Sequence, residues 1–151
     1  MIVQQVCQRN AVTISPTQDL GAAARLMREK HIGYLVVVVP AGREGAESAV
    51  GVLTDRDIVI SVVARDVDPR SVNVGDVMTR NPRTAYLDDY LTDALAQMQS
   101  IGVRRLPVVN ASGELTGVIS LDDILVAMAT ELNQASGAIA RERSQEAVRR
   151  P

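Results

Sequence analysis

The chain has 151 residues, 46% of them hydrophobic and 23% charged, and its formal net charge is −2. This length suits one compact domain or two closely packed halves, and the small negative charge argues against a nucleic-acid partner. One Cys and one His exclude an internal disulfide and a metal site built from Cys and His side chains. No apolar run approaches the roughly 20 residues that span a membrane. We therefore expect a cytoplasmic protein without a metal site.

The first part of the chain predicts the order strand, helix, strand, strand, helix. Apolar residues at helical spacing predict an amphipathic first helix, and the apolar run 34–39 predicts a strand that is buried on both faces. A loop with two glycines then predicts a hairpin. The expected elements are a strand over 12–14, a helix over 19–33, strands over 34–39 and 49–53, and a helix from 54.

The second part of the chain repeats the first. The predicted helix that begins at Leu91 lies 71 positions after the one that begins at Leu20, and the motif 117–123 lies 66 positions after the motif 51–57. The offset falls because the second hairpin loop is shorter, a change typical of two diverged copies of one fold. We therefore predict a first repeat over 1–66, a linker over 67–75, a second repeat over 76–132, and a helical or disordered tail over 133–151.

Each motif contains a Gly, two apolar residues, a hydroxyl, two variable residues and an Asp. The motifs are Gly51-Val52-Leu53-Thr54-Asp55-Arg56-Asp57 and Gly117-Val118-Ile119-Ser120-Leu121-Asp122-Asp123. The Gly leaves room for a close approach to the strand, the hydroxyl at a helix start favours phosphate, and the Asp can accept from ribose hydroxyls. A hydroxyl three residues before an Asp is also a helix N-cap signature that needs no ligand. Both interpretations stay open.

The order of elements, the two motifs, the segment Asp76–Pro82 and the run Arg104–Val109 together resemble a tandem pair of cystathionine β-synthase (CBS) domains, also called a Bateman module. The resemblance covers residues 1–132. It implies an α/β (α+β) fold in which two βαββα repeats pack as a pseudo-twofold pair. It also implies that small sheets and helices enclose two clefts, which in many members hold adenosine-containing ligands.

The resemblance implies that each cleft combines the hydroxyl and Asp of one repeat with strand residues of the other. One cleft would contain Thr54, Asp57 and Val52 with Arg83, Thr84, Arg104 and Pro107, and the other Ser120, Asp123 and Val118 with Val12, Thr13, Gly33 and Val36. Because Arg104 supplies a cation where Gly33 supplies none, we expect the first cleft to bind phosphorylated ligands more tightly. The alternatives are a solvated charge for Arg104 and core packing for the valines.

These features predict a non-catalytic regulatory or sensor module for adenosine-containing ligands, acting in signal transduction or energy sensing. The ligand would be AMP, ADP or ATP, with S-adenosylmethionine or NAD as further candidates, and no cofactor is required. The alternative is a ligand-free dimerisation or protein-interaction domain. A seam over Met128, Leu132, Ala135 and Ile139 predicts a homodimer, and an unidentified regulated protein is a further expected partner. No nucleophile and base pair indicates an enzyme.

Overall fold

The computed structural model describes residues 1–149 and contains two small sheets flanked by helices. The strands are β1 (Thr13–Ile14), β2 (Tyr34–Pro40), β3 (Glu47–Thr54), β4 (Thr79–Arg80), β5 (Ala85–Tyr86), β6 (Arg105–Val109) and β7 (Leu115–Ser120). The α-helices are α1 (Leu20–Lys30), α2 (Asp55–Ser61), α3 (Val74–Val77), α4 (Leu91–Ile101) and α5 (Leu121–Arg149). One sheet has the order β1-β2-β3-β4 and the other β5-β6-β7. The predicted mixed α/β fold is confirmed.

Three strands pair in the same way in both repeats. Tyr34 of β2 lies opposite Thr54 of β3, and Arg105 of β6 lies opposite Ser120 of β7 in an antiparallel hairpin of the same kind. In each repeat a short strand runs parallel to the first strand of the hairpin, β1 beside β2 and β5 beside β6. The strand pairing therefore defines which residues of the two repeats are structurally equivalent. Before the hairpin loop, equivalent residues are 71 positions apart, and after the loop they are 66 positions apart.

Each sheet covers its own hydrophobic core, and one fully buried residue in each core comes from the other part of the chain. Val3 is fully buried beside Leu106 in the core of the second sheet. Its equivalent, Val74 of α3, is fully buried beside Leu35 in the core of the first sheet. The N-terminal segment, and the segment around α3 where the predicted linker 67–75 ends, are thus parts of the packed structure.

The glycines of the two motifs lie where these exchanged segments cross a strand. Gln8 and Val118 exchange two backbone hydrogen bonds of 2.9 Å, and Thr79 pairs with Val52 at the equivalent place. A Cβ atom on Gly117 would collide with the carbonyl oxygen of Gln8, and the equivalent atom on Gly51 would meet the Met78 side chain. The close approach that these glycines permit is therefore made by the chain itself, by backbone at Gly117 and by the Met78 side chain at Gly51.

Helix α1 begins at an N-cap, Asp19, whose carboxylate accepts from the Ala22 N–H at 2.8 Å. It ends at Lys30, short of the expected end near Gly33, because His31 adopts a left-handed conformation with φ 54°. The equivalent residue after α4 is Gly102, which is also left-handed with φ 69°. The same C-terminal turn thus ends both helices, once with a Gly and once with a His.

Helix α5 extends far beyond the second core. It has 29 residues; Ile124 is its buried residue, and every residue from Met128 to Arg149 is exposed. At about 1.5 Å per residue, the exposed part is on the order of 30 Å long. Arg150 and Pro151, which end the predicted tail, lie outside the described residues. None of the helices within residues 1–149 is long and apolar enough to cross a membrane.

Candidate functional site

A cavity of about 380 Å³ opens between the two repeats at the C-terminal end of β7. We call it the Asp123 cleft. Five residues predicted for this cleft line it: Val12, Gly33, Val118, Ser120 and Asp123. The other two predicted residues, Thr13 and Val36, pair with each other between β1 and β2, and Val36 is fully buried. The cavity volume lies within the range of small-molecule sites, about 300–1,000 Å³.

Ser120 and Asp123 form a reciprocal cap at the start of α5. One carboxylate oxygen of Asp123 accepts from the Ser120 N–H at 3.0 Å and from the Ser120 hydroxyl at 2.5 Å, and the Asp123 N–H donates to that hydroxyl oxygen at 3.1 Å. The other carboxylate oxygen accepts from the side-chain amide of Gln8 at 3.1 Å. In this arrangement the motif caps a helix, and Gln8 occupies the carboxylate oxygen of Asp123 that the cap does not use.

Thr54 and Asp57 form the same cap at the start of α2. Asp57 accepts from the Thr54 N–H at 2.8 Å, and the Asp57 N–H donates to the Thr54 hydroxyl oxygen at 3.2 Å. Thr79 occupies the position equivalent to Gln8. We call the surface around this cap, built from the positions equivalent to those of the Asp123 cleft, the Asp57 cleft.

The other residues predicted for the Asp57 cleft differ in their exposure. Pro107 is buried in β6 opposite Val118, and Val52 is half-buried in β3. Between β4 and β5, Arg83 is exposed and Thr84 is half-buried. The fifth of these residues, Arg104, has a side chain that is 71% exposed, and its guanidinium lies 3.1 Å from the carboxylate of Asp122.

Tyr34 and Arg105 meet between the two repeats, and the sequence analysis missed both. They are the first residues of β2 and β6, they both line the Asp123 cleft, and the Arg105 guanidinium lies 5.7 Å from the centre of the Tyr34 ring. The Tyr34 hydroxyl is buried and has no hydrogen-bond partner within the described part of the chain. Burial raises the pKa of Tyr34 well above its usual range, although the positive charge of Arg105 acts in the opposite direction.

Six more residues that line the Asp123 cleft were also not predicted: Gln8, Asn10, Ala11, His31, Ile32 and Asp122. A signal for Asp122 was available, since it lies within the repeated motif. Gln8 and His31 carry no local signal, because they reach the cleft only through the docking of the N-terminal segment and the left-handed turn after α1.

The arrangement is suited to binding. Cys7 is half-buried beside the second core, and burial raises the pKa of its thiol, which disfavours the reactive thiolate. Within residues 1–149, no three His, Cys, Asp or Glu side chains form a group that could hold a metal ion. The polar groups of the cleft instead offer carboxylate, amide and guanidinium contacts of the kind that orient a polar ligand.

The family model of the CBS domain matches residues 3–64 and 74–130. The chain belongs to the CBS domain family. An uncharacterized protein of Methanopyrus kandleri is 35% identical to this CBS pair over 123 residues, and the match spans 82% of this chain and 60% of the relative.

Two solved structures resemble this CBS pair closely. The CBS domain pair of protein MJ0100, solved in complex with 5′-methylthioadenosine and S-adenosyl-L-methionine, has a TM-score of 0.74 and 21% identity, with 87% of this chain and 98% of that chain covered. The hexameric CBS-CP12 protein from bloom-forming cyanobacteria has a TM-score of 0.70 and 28% identity, with 83% of this chain and 69% of that chain covered. The first shows a shared fold, and the second adds a relative that assembles from several subunits.

Proposed function

We propose that this CBS pair is a non-catalytic regulatory module that binds adenosine-containing ligands in its two clefts. The observation that carries the proposal is the cavity of about 380 Å³, in which Ser120 and Asp123 of one repeat face Val12 and Gly33 of the other. The MJ0100 pair, which shares the fold, binds two adenosine compounds. That precedent supports an adenosine ligand for this CBS pair.

Binding would exchange contacts that the empty cleft already makes. A ribose hydroxyl replaces the Gln8 amide at the outer oxygen of Asp123, where the hydrogen bond is now 3.1 Å long. The inner oxygen keeps the Ser120 N–H, so the start of α5 stays capped. Because the cap belongs to α5, a ligand in the Asp123 cleft touches the first turn of the long projecting helix. A ligand can act on a partner only by favouring one arrangement of this helix over another.

Calorimetric titration with AMP, ADP, ATP, NAD and S-adenosylmethionine tests the proposal. We expect at least one ligand to bind, and Asp57→Ala combined with Asp123→Ala to abolish the binding. Asp93→Ala, which changes an exposed carboxylate on α4, is the control and should bind like the wild type. No heat from any of the five ligands at millimolar concentration would overturn the proposal.

We also infer that the chain forms a homodimer through α2 and α5. Val59 and Ile60 of α2 are 53% and 50% exposed, and their equivalents 66 positions later, Leu125 and Val126 of α5, are 54% and 68% exposed. The two repeats thus present the same apolar pair on equivalent helices, as a surface that a second copy covers. The hexameric CBS-CP12 relative shows that assemblies occur among proteins of this fold.

Light scattering tests this inference. The wild type should have the mass of a dimer at micromolar concentration, and Leu125→Glu should shift it to a monomer because a carboxylate would be buried in the interface. Ala140→Glu, an exposed change farther along α5, is the control. A monomeric wild type would contradict the inference.

A ligand-free dimerisation domain is the second candidate function, and the completed caps favour it. Ser120 and Asp123 satisfy each other without a ligand, as do Thr54 and Asp57. This candidate predicts that nucleotides leave the melting temperature unchanged. A nucleotide-dependent rise that disappears in the doubly substituted protein would reject it.

A further inference from the structure

The two clefts carry different charges. The ionic side chains that line the Asp123 cleft are Asp122, Asp123 and Arg105, two carboxylates against one guanidinium. His31 also lines it. A phosphate placed beside Ser120 would therefore lie close to a carboxylate that is not needed for the cap, that of Asp122.

The Asp57 cleft has arginines where the Asp123 cleft has acidic, apolar or small residues. The shared strand registers and the offsets of 71 and 66 define the equivalent positions. They place Arg56 at the position of Asp122, Arg83 at that of Val12, and Arg104 at that of Gly33. All three arginines are exposed and are available to a ligand. Guanidinium groups bind phosphate oxygens with paired hydrogen bonds.

One ion pair connects the two groups of charges. Arg104 contacts Asp122 at 3.1 Å, with the two side chains 71% and 64% exposed. An ion pair this exposed contributes little, so a phosphate in the Asp57 cleft can take Arg104 from Asp122. Asp122 would then be uncompensated at the edge of the Asp123 cleft. A phosphate in the Asp57 cleft would therefore make the Asp123 cleft less favourable for a second phosphate.

We propose that the two clefts sort adenosine ligands by charge. The Asp57 cleft takes adenosine that carries phosphates, and the Asp123 cleft takes adenosine without a phosphate. The inference rests on the proposed function, since it requires that both clefts bind adenosine. It adds the class of ligand that each cleft selects, and it assigns the selection to Arg56, Arg83 and Arg104 on one side and to Asp122 on the other.

Single-cleft variants test the inference. Asp123→Ala leaves the Asp57 cleft intact and Asp57→Ala leaves the Asp123 cleft intact, and each variant is titrated calorimetrically with adenosine and with ATP. We expect ATP to bind about tenfold or more tightly than adenosine to the first variant, and adenosine to bind about tenfold or more tightly than ATP to the second. The ATP preference of the first variant should weaken as salt is added.

A matched pair of charge variants identifies the residues responsible. Asp122→Asn in the Asp57→Ala background should raise the affinity for ATP several-fold more than that for adenosine. Arg56→Gln, at the equivalent position in the Asp123→Ala background, should lower the affinity for ATP several-fold more than that for adenosine. Circular dichroism spectra confirm that each variant is folded.

The outcomes separate the two proposals. The same ligand preference in both clefts, or no change of preference in the charge variants, would overturn the sorting by charge and leave the proposed function standing. If neither adenosine nor ATP bound to the wild type or to either single-cleft variant, the adenosine-binding function itself would fail.

Discussion

Replacing Gly117 by Ala tests how the N-terminal segment is held on β7. The added Cβ would lie 3.1 Å from the carbonyl carbon of Gln8 and 3.2 Å from the Arg9 Cα, and closer still to the Gln8 carbonyl oxygen. All three are backbone atoms, so the segment has to move as a whole. Its displacement breaks the two hydrogen bonds between Gln8 and Val118, each worth about 1 kcal/mol, and adds about 1–3 kcal/mol of steric strain.

The expected loss for Gly117→Ala is therefore about 3–5 kcal/mol, which for a chain of this size lowers the melting temperature by about 6–20 °C. Gly51→Ala should lose less, about 1–2 kcal/mol, because its nearest neighbour is the flexible Met78 side chain. Gly42→Ala, with no atom within 4 Å of the new Cβ, is the control and should be neutral.

Urea unfolding followed by far-ultraviolet circular dichroism measures all three variants. The order of stability should be Gly42→Ala, Gly51→Ala, Gly117→Ala, from the most to the least stable. If Gly117→Ala stayed within about 0.5 kcal/mol of the wild type, the segment would not be held against β7 in the way described.

The Arg43 guanidinium, 2.5 Å from Glu114, lowers the pKa of Glu114 to about 2. This ion pair should stabilise the fold above the ordinary carboxyl pKa, and the stabilisation should be lost as the pH falls towards 2. The free energy of unfolding should therefore fall less with decreasing pH in Arg43→Ala than in the wild type. Gly102→Ala should lose about 1 kcal/mol in urea unfolding, since φ there is 69°; an unchanged stability would contradict this. Without ligand, Asp123→Ala should lose about 2 kcal/mol and Asp57→Ala about 1 kcal/mol of unfolding free energy in the same assay. The Asp123 carboxylate accepts three hydrogen bonds, whereas the Asp57 carboxylate accepts one. Equal losses in the two variants would contradict this prediction.

The sequence predicts the fold well because the repeat makes every local signal occur twice. A single strand-like run such as 34–39 is ambiguous, but its repetition at 105–109 beside an equivalent helix is not. The two capping motifs were also predicted at the correct residues, since a hydroxyl three residues before an Asp is a short-range pattern. Signals of this kind depend only on neighbours in the chain.

The missing parts of the site depend on contacts between distant residues. Gln8 reaches Asp123 only because the N-terminal segment docks on the second repeat, and nothing in a short polar stretch predicts its partner. Tyr34 and Arg105 are neighbours of the predicted residues Gly33 and Arg104 in the sequence, but their contact needs the two repeats to be packed first. Which cleft is the more basic likewise becomes visible only after the strand registers define equivalent positions.

The exchange of Val3 and Val74 between the two cores has a consequence for the origin of the chain. The two residues are equivalent, so in a protein made of one repeat the same residue would have to fill the core of a second molecule. Such an ancestor would be a domain-swapped dimer, with no complete core in a separate monomer. Fusion of two copies would turn this exchange into an intramolecular one at a high effective concentration, and the two halves, each encoded by its own copy, could then diverge in sequence.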